Sequence, residues 1–203
     1  MNNNNNNVDV GTGTLKELYR TTIECPVCRT NSLEYAEYLY DVPRIGKIVL
    51  STGKCKKCGF KTNDARILEA TKPKKIIIHV TSPNDLNILI VRSSSTRVIL
   101  PELGIDIKPG PASQGYITTI EGVLHRVKEV LESVCTYEEV NKEACEKRLE
   151  EVEEAINGKK SFRLIMLDPE GVGAVDTDKA VIKELKRDEY EKELEFFMEE
   201  EKS

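Results

Sequence analysis

Tryptophan is absent and aromatic residues make up only 5% of the 203 residues, so a core has to come mainly from Ile, Leu and Val. That favours β-strands and modest helices. Long apolar runs are missing as well: residues 76–78 and 88–91 fall far short of the ~20 needed to cross a bilayer, and no membrane association is expected. The first residues offer neither the charged start nor the apolar stretch of a secretory signal, and a cytoplasmic protein is expected. Only two histidines occur, His79 and His125, and each reads as structural rather than as a ligand or base. Gly46, Gly53 and Lys54 lack the spacing of a phosphate loop, and Gly171-Val172-Gly173 lacks the third glycine of a dinucleotide fingerprint. With no Ser–His–acid or Cys–His pairing either, the chain reads as a binding protein and not an enzyme.

What the chain does have is charge, 32% of its residues, unevenly spread. Residues 1–120 carry a formal +5 and residues 121–203 a formal −10. Opposite signs in the two halves suit a protein that holds another macromolecule.

Four of the six cysteines fall in two C-x2-C pairs, Cys25/Cys28 and Cys55/Cys58. Two sulfurs three residues apart can grip one metal from a tight knuckle, and two knuckles complete a tetrahedron. A cytosolic chain argues against two disulfides at these positions. Iron in a rubredoxin-like site is the competing metal, disfavoured by the scarcity of aromatics, so zinc is the expected ion. Four thiolates saturate zinc and leave no place for a catalytic water. Gly59 suits the turn after the last ligand, whereas Arg29 holds the same place in the first knuckle. Cys135 and Cys145 lack such spacing and read as buried free thiols.

The rest of the pattern is α+β. Residues 1–22, which include the Asn tract, read as a disordered or extended N-terminal segment, and residues 23–70 as a zinc ribbon with strands near 32–40 and 45–51. Residues 71–176 read as a compact antiparallel β domain with strands near 75–80, 86–92, 97–100 and 162–167. Into it is set a helical hairpin near 119–157, with capping signals at Thr118/Glu121 and Thr136/Glu139 and a left-handed stop at Asn157-Gly158. Residues 177–203 read as a charged amphipathic helix whose apolar side carries Ile182, Leu185, Tyr190, Leu194 and Phe197. That side needs a cover, either its own domain or a partner.

In order along the chain, several motifs resemble the ZPR-type zinc-finger proteins: Cys25-x2-Cys28, Asp41-Val-Pro-Arg-Ile-Gly-Lys-Ile-Val-Leu50, Cys55-x2-Cys58-Gly59, Lys61-Thr-Asn-Asp64, Asp85-Leu-Asn87, Pro101-Glu-Leu103, Thr118-Thr-Ile-Glu-Gly-Val-Leu124 and Asp168-Pro-Glu-Gly171. The resemblance covers roughly residues 23–200 and implies a four-cysteine zinc finger followed by a β-rich domain with an inserted helical hairpin. It also implies a protein partner, the homologue of translation elongation factor 1-alpha, whose folding the chain would assist. Family members resemble two such modules in tandem in eukaryotes, and this chain has one. Where relatives carry Asn-Ser after the Asp-Pro-x-Gly turn, this chain has Val172-Gly173.

The contact surface is expected first near Lys57 and Phe60, then at the turn of Asp168, Glu170 and Gly171, and on the face around Phe196 and Phe197. The alternative is a nucleic-acid-binding zinc ribbon that uses Lys54, Lys56, Lys57 and Lys61. Residues 24–75 hold a formal +5, which four thiolates and one zinc reduce to about +3, weak for a phosphate-binding surface.

Overall fold

The computed structural model describes residues 7–10 and 13–186. Its first part is an antiparallel meander of five strands in chain order: β1 (Asn7–Val10), β2 (Gly13–Glu24), β3 (Asn31–Val42), β4 (Gly46–Cys55) and β5 (Lys61–Ile67). Alternation of Leu33, Tyr35, Glu37 and Leu39 with Ser32, Glu34 and Ala36 makes β3 a ribbon strand, and it pairs with β4 from Leu33↔Cys55 to Val42↔Gly46. At about 3.3 Å per residue the twelve-residue β3 is some 40 Å long, so the two ends of this ribbon are far apart. The strand β2 begins at Gly13, inside the stretch expected to be a disordered or extended lead-in, and pairs with β3 through register shifts at Glu17/Tyr19 and Ile23/Glu24. Its apolar residues gave little warning, because Leu18, Tyr19 and Ile23 point to both faces and remain exposed.

Two further sheets form the second part. One has the order β13-β6-β11-β8-β9, from β6 (Lys74–Val80), β8 (Arg97–Leu100), β9 (Ile105–Ile107), β11 (Phe162–Asp168) and β13 (Val181–Glu184); the other has the order β10-β7-β12, from β7 (Leu89–Arg92), β10 (Tyr116–Thr119) and β12 (Ala174–Val175). The strands expected in one compact antiparallel domain therefore form two sheets, because the alternation of β7 serves two cores. Ile90 points into the main core with Ile76, Ile78, Leu100, Leu164 and Met166, while Val91 points the other way, against Val42, Ile48 and Ala65 of the ribbon.

The helices α1 (Ile120–Val134) and α2 (Lys142–Ile156) close that main core through Ile120, Val123, Leu124, Val127, Val152 and Ala155. The cap of α1 is not the expected Thr118 but the next residue, Thr119, whose hydroxyl accepts the Gly122 N–H at 3.1 Å. The second expected cap fails: Thr136 donates instead to the Ser133 carbonyl, and α2 starts six residues later, where Asn141 accepts the Ala144 N–H. A side chain already bonded back into the end of α1 cannot cap a new helix. Gly158, with φ +67, ends α2 as expected.

Two expectations are corrected in this part. Cys135 and Cys145 are not free thiols; they are joined as a disulfide, with Cα atoms 5.9 Å apart, across the loop between the helices. Spacing alone could not show this, since only the hairpin brings residues ten apart together. The segment from 177 onward begins not as a helix but with a strand, Val181–Glu184, which pairs with β6 from Val181↔Ile77 to Glu184↔Lys74. Edge pairing along Lys74–Ile77 satisfies backbone groups that a helix would have left to solvent. The remainder of that expected helix, residues 187–203, lies outside the described residues, as do Phe196 and Phe197.

Candidate metal centre

The ribbon ends farthest from the β domain in two tight turns that have nearly the same geometry. In the first, the Arg29 N–H donates to the Cys25 carbonyl at 2.9 Å; in the second, the Gly59 N–H donates to the Cys55 carbonyl at 3.0 Å. Both turns require a left-handed residue after the second cysteine, with φ +55 at Arg29 and φ +75 at Gly59. Glycine adopts that conformation freely, whereas at Arg29 the Cβ is crowded by its own backbone at a cost of about 1–2 kcal/mol.

These turns bring the four sulfurs together. Cys25 and Cys58 lie 3.6 Å apart, Cys28 and Cys55 also 3.6 Å, and all four sulfurs fall within 4.8 Å of one another. A tetrahedron with metal–sulfur bonds near 2.3 Å has edges of about 3.8 Å, close to the two shortest separations, so the spacing of the cluster suits zinc. Hydroxyls surround the sulfurs: Thr30 Oγ1 lies 3.0 Å from Cys28 Sγ, and Ser32 Oγ lies 3.1 Å from Cys55 Sγ. The Ser32 hydroxyl, aided by the Cys58 amide, draws the Cys55 thiol down to about 6, and the Thr30 hydroxyl likewise lowers Cys28. At Cys58 the Phe60 backbone favours the thiolate, but desolvation and the neighbouring sulfurs outweigh it and push the thiol up to about 12. Four thiolates within 4.8 Å of one another repel, and a divalent cation among them neutralises that charge. The four thiolates form a zinc site, and with all four positions taken by sulfur it is structural.

Around the site the cover is thin. Cys25, Leu33 and Cys55 are buried, with Cys28 and Phe60 packed against them. Phe60 therefore faces the sulfurs and is only partly available to a partner, while Lys57 stands exposed beside it. Lys54, Lys56 and Lys61 are exposed too, but Lys56 is engaged by Glu34 at 2.6 Å. Sequence reasoning missed Val27, which is 63% exposed at the outermost point of the first knuckle, and Ile23 just before it. An apolar side chain between two metal ligands was the available signal. Among the described residues no other cluster of cysteine, histidine or carboxylates has metal-site geometry, and His79 and His125 both lie exposed away from the sulfurs.

The turn of Asp168, Glu170 and Gly171 sits elsewhere and does a different job. Asp168 is fully buried, accepts the Gly173 N–H at 2.7 Å through Oδ2 and lies 3.9 Å from the buried Lys74 ammonium. Gly171 has φ +66, and a Cβ there would come within 2.2 Å of the Thr71 carbonyl. Its own carbonyl accepts both the N–H and the hydroxyl of Thr71, and the Val172 carbonyl accepts the Ile67 N–H. The turn thus clamps the connection between ribbon and β domain; of the three residues only Glu170 is exposed. The departure Val172-Gly173 is accommodated in full, with Val172 buried and Gly173 bonded to Asp168.

Other motif residues gather at the same junction. Asp64 accepts the Ser94 N–H at 2.9 Å, and the Gly115 N–H donates to the Asn63 carbonyl. Arg44, in the turn between β3 and β4, pairs with Asp176 at 2.7 Å and Asp178 at 2.9 Å. Asp85 belongs to the β domain itself, where it accepts the N–H groups of Thr81 and Ser82 and the Lys179 ammonium.

Comparison with known proteins agrees with this architecture. Residues 84–199 match the family model described as the ZPR1 jelly-roll domain. A ZPR1-like protein of Methanocaldococcus jannaschii is 36% identical over 156 residues, 75% of this chain and 79% of that protein. A ZPR1-like protein of Pyrococcus horikoshii is 35% identical over 83% of this chain and 78% of its own length. The zinc finger chaperone zpr1 of Schizosaccharomyces pombe is 31% identical over 57% of this chain, a match that takes in only 25% of the yeast protein.

Proposed function

Since the chain belongs to the ZPR1 family, we propose that it is a zinc-dependent protein-interaction module, without enzymatic activity, that binds the cell's homologue of translation elongation factor 1-alpha and assists its folding. The observation that carries this reading is the distal end of the ribbon: a saturated metal site presents Val27, Ile23 and Lys57 to solvent some 40 Å of strand away from the β domain. Solvent-facing apolar residues on a rigid metal-held tip are suited to engage apolar surface of another protein. The chaperone name of the fission-yeast relative supports the same direction, and the resemblance in the motifs supplies the partner.

Affinity purification of the zinc-loaded chain from its native cytosol, followed by refolding of the recovered factor with GTP, tests the reading. Recovery of the factor and a higher refolding yield are expected, both diminished at least tenfold by Val27→Asp combined with Lys57→Glu. Enrichment of RNA that survives physiological salt, lost on charge reversal of Lys54, Lys56, Lys57 and Lys61, with no factor recovered, overturns it in favour of nucleic-acid binding.

A further inference from the structure

A groove runs where the ribbon, β10, α1 and β9 meet. It consists of two open hollows, of about 570 and 500 Å³, that share Tyr116 and Arg126 as their common border. Leu15, Leu50 and Ile117 give the first hollow its apolar wall, and Ile105, Val127 and Val130 do so in the second, where Val130 is 62% exposed. The second hollow is also lined by five consecutive residues, 104–108. A strand shows every second residue on a face, so an unbroken run of lining residues means that β9 borders the groove with its edge. Among the described residues β9 is the last strand of its sheet and β10 an end strand of the other, each paired on one side only. Such edges carry backbone groups able to pair with another chain.

The charges along the groove are not balanced. Asp64 accepts the Ser94 N–H at 2.9 Å, and Asp106 is held by Arg97 at 2.7 Å and by Lys108 at 3.3 Å. Both carboxylates are thus engaged. Arg126 is exposed, lies 4.6 Å from the centre of the Tyr116 ring and, among the described residues, has no carboxylate partner. The buried Arg92 adds a second cation 5.4 Å from the same ring. A guanidinium resting on an aromatic face is held in place with its N–H groups still available, and a carboxylate is the group that such a fork takes best.

We propose that this groove binds an extended segment of a protein partner, with a carboxylate on Arg126, an apolar side chain in each hollow and its backbone along the open edge of β9. In an extended chain, residues two apart face the same side at roughly 7 Å. A glutamate at the border therefore directs the residues two before and two after it into the hollows, and the segment reads apolar-x-Glu-x-apolar. The inference rests on the reading that the chain holds another protein, but it assigns a surface separate from the zinc tip.

An array of immobilised peptides of the form Ser-Leu-Ser-Glu-Ser-Leu-Ser, with Glu, Ser or Lys at the centre and Leu, Ile, Phe or Ser at the two flanking places, tests this with the full zinc-loaded chain as the probe. Glu-centred peptides with apolar flanks are expected to retain about fivefold more chain than Lys-centred ones, and to lose that retention when both flanks are Ser. Arg126→Glu, in a chain whose melting is unchanged, is expected to abolish or reverse the order. Val27→Asp with Lys57→Glu, which alters the tip, is expected to leave the order as it was, so that failure of the tip as a contact for the elongation factor is distinguishable from failure of the groove. Retention that ignores the central residue, an order that Arg126→Glu leaves unchanged or that the tip variant removes, no retention at all, or a dimer of the chain that dissociates in Arg126→Glu would overturn the assignment.

Discussion

The two parts of this molecule are held together by different means. The β domain buries Ile76, Ile78, Ile90, Leu100, Leu164, Met166 and the inner sides of two helices in one continuous core. At the zinc end of the ribbon the buried apolar material is Leu33 and part of Phe60, worth about 2 kcal/mol apiece. Ordering each knuckle residue costs about 1–2 kcal/mol, so hydrophobic burial cannot fix this end and the metal has to. Between these extremes lies the ribbon's base, where Val42, Ile48 and Ala65 rest on Val91 and the Asp168–Gly171 turn clamps the connecting chain. Stability therefore falls from the domain to the tip, and what the tip lacks in core it gains in freedom to present side chains outward.

The sharpest way to break this contrast is Cys55→Ser. It leaves three ligands, and because apparent binding energies of structural zinc run to about 10–16 kcal/mol, the zinc content measured by elemental analysis should fall from one per chain to near zero. Circular dichroism of that variant should still show the melting transition of the β domain. Next in size, Leu164→Ala removes a fully buried side chain and should cost the β domain about 2–5 kcal/mol in chemical unfolding, with zinc stoichiometry unchanged.

Acid should separate the parts as well. Lys179 beside Asp85, with the Thr81 and Ser82 donors, holds that carboxyl well below the usual carboxylate range. A depressed folded value stabilises the fold above the unfolded value near 4 and ceases to do so as pH falls through it towards the folded one. Asp85→Asn should thus cost about 2 kcal/mol at pH 7 and flatten the pH dependence of domain stability below pH 4, whereas the zinc tip, whose ligands must be thiolates, should release metal at higher pH in both forms. The smallest effect is a gain. Arg29→Gly relieves the one non-glycine left-handed residue in the knuckles and should tighten zinc binding by about 1 kcal/mol, read by chelator competition.

Legibility in the sequence followed the same division. The zinc site could be read completely, because two C-x2-C knuckles impose their geometry locally and Gly59 marks the turn. The α2 stop at Gly158 was legible for the same local reason, whereas the cap of α1 is Thr119 and not the expected Thr118, and Asn141 was hidden behind a stronger-looking signal at Thr136. What could not be read was long-range. The division of β strands into two sheets depends on Val91 facing the ribbon, the disulfide depends on the hairpin, and the clamping of Gly171 depends on Thr71 a hundred residues away. The turn at Asp168 looks like a surface turn in the sequence, and only the approach of the connecting chain makes it a clamp.

The central claim, that metal rather than core holds the tip, is tested most directly by amide hydrogen exchange before and after zinc is removed with a chelator. Protection should vanish in residues 23–36 and 52–63 and persist in β6, β8 and β11. Equal loss of protection in both parts, or a tip that stays protected without zinc, would contradict it.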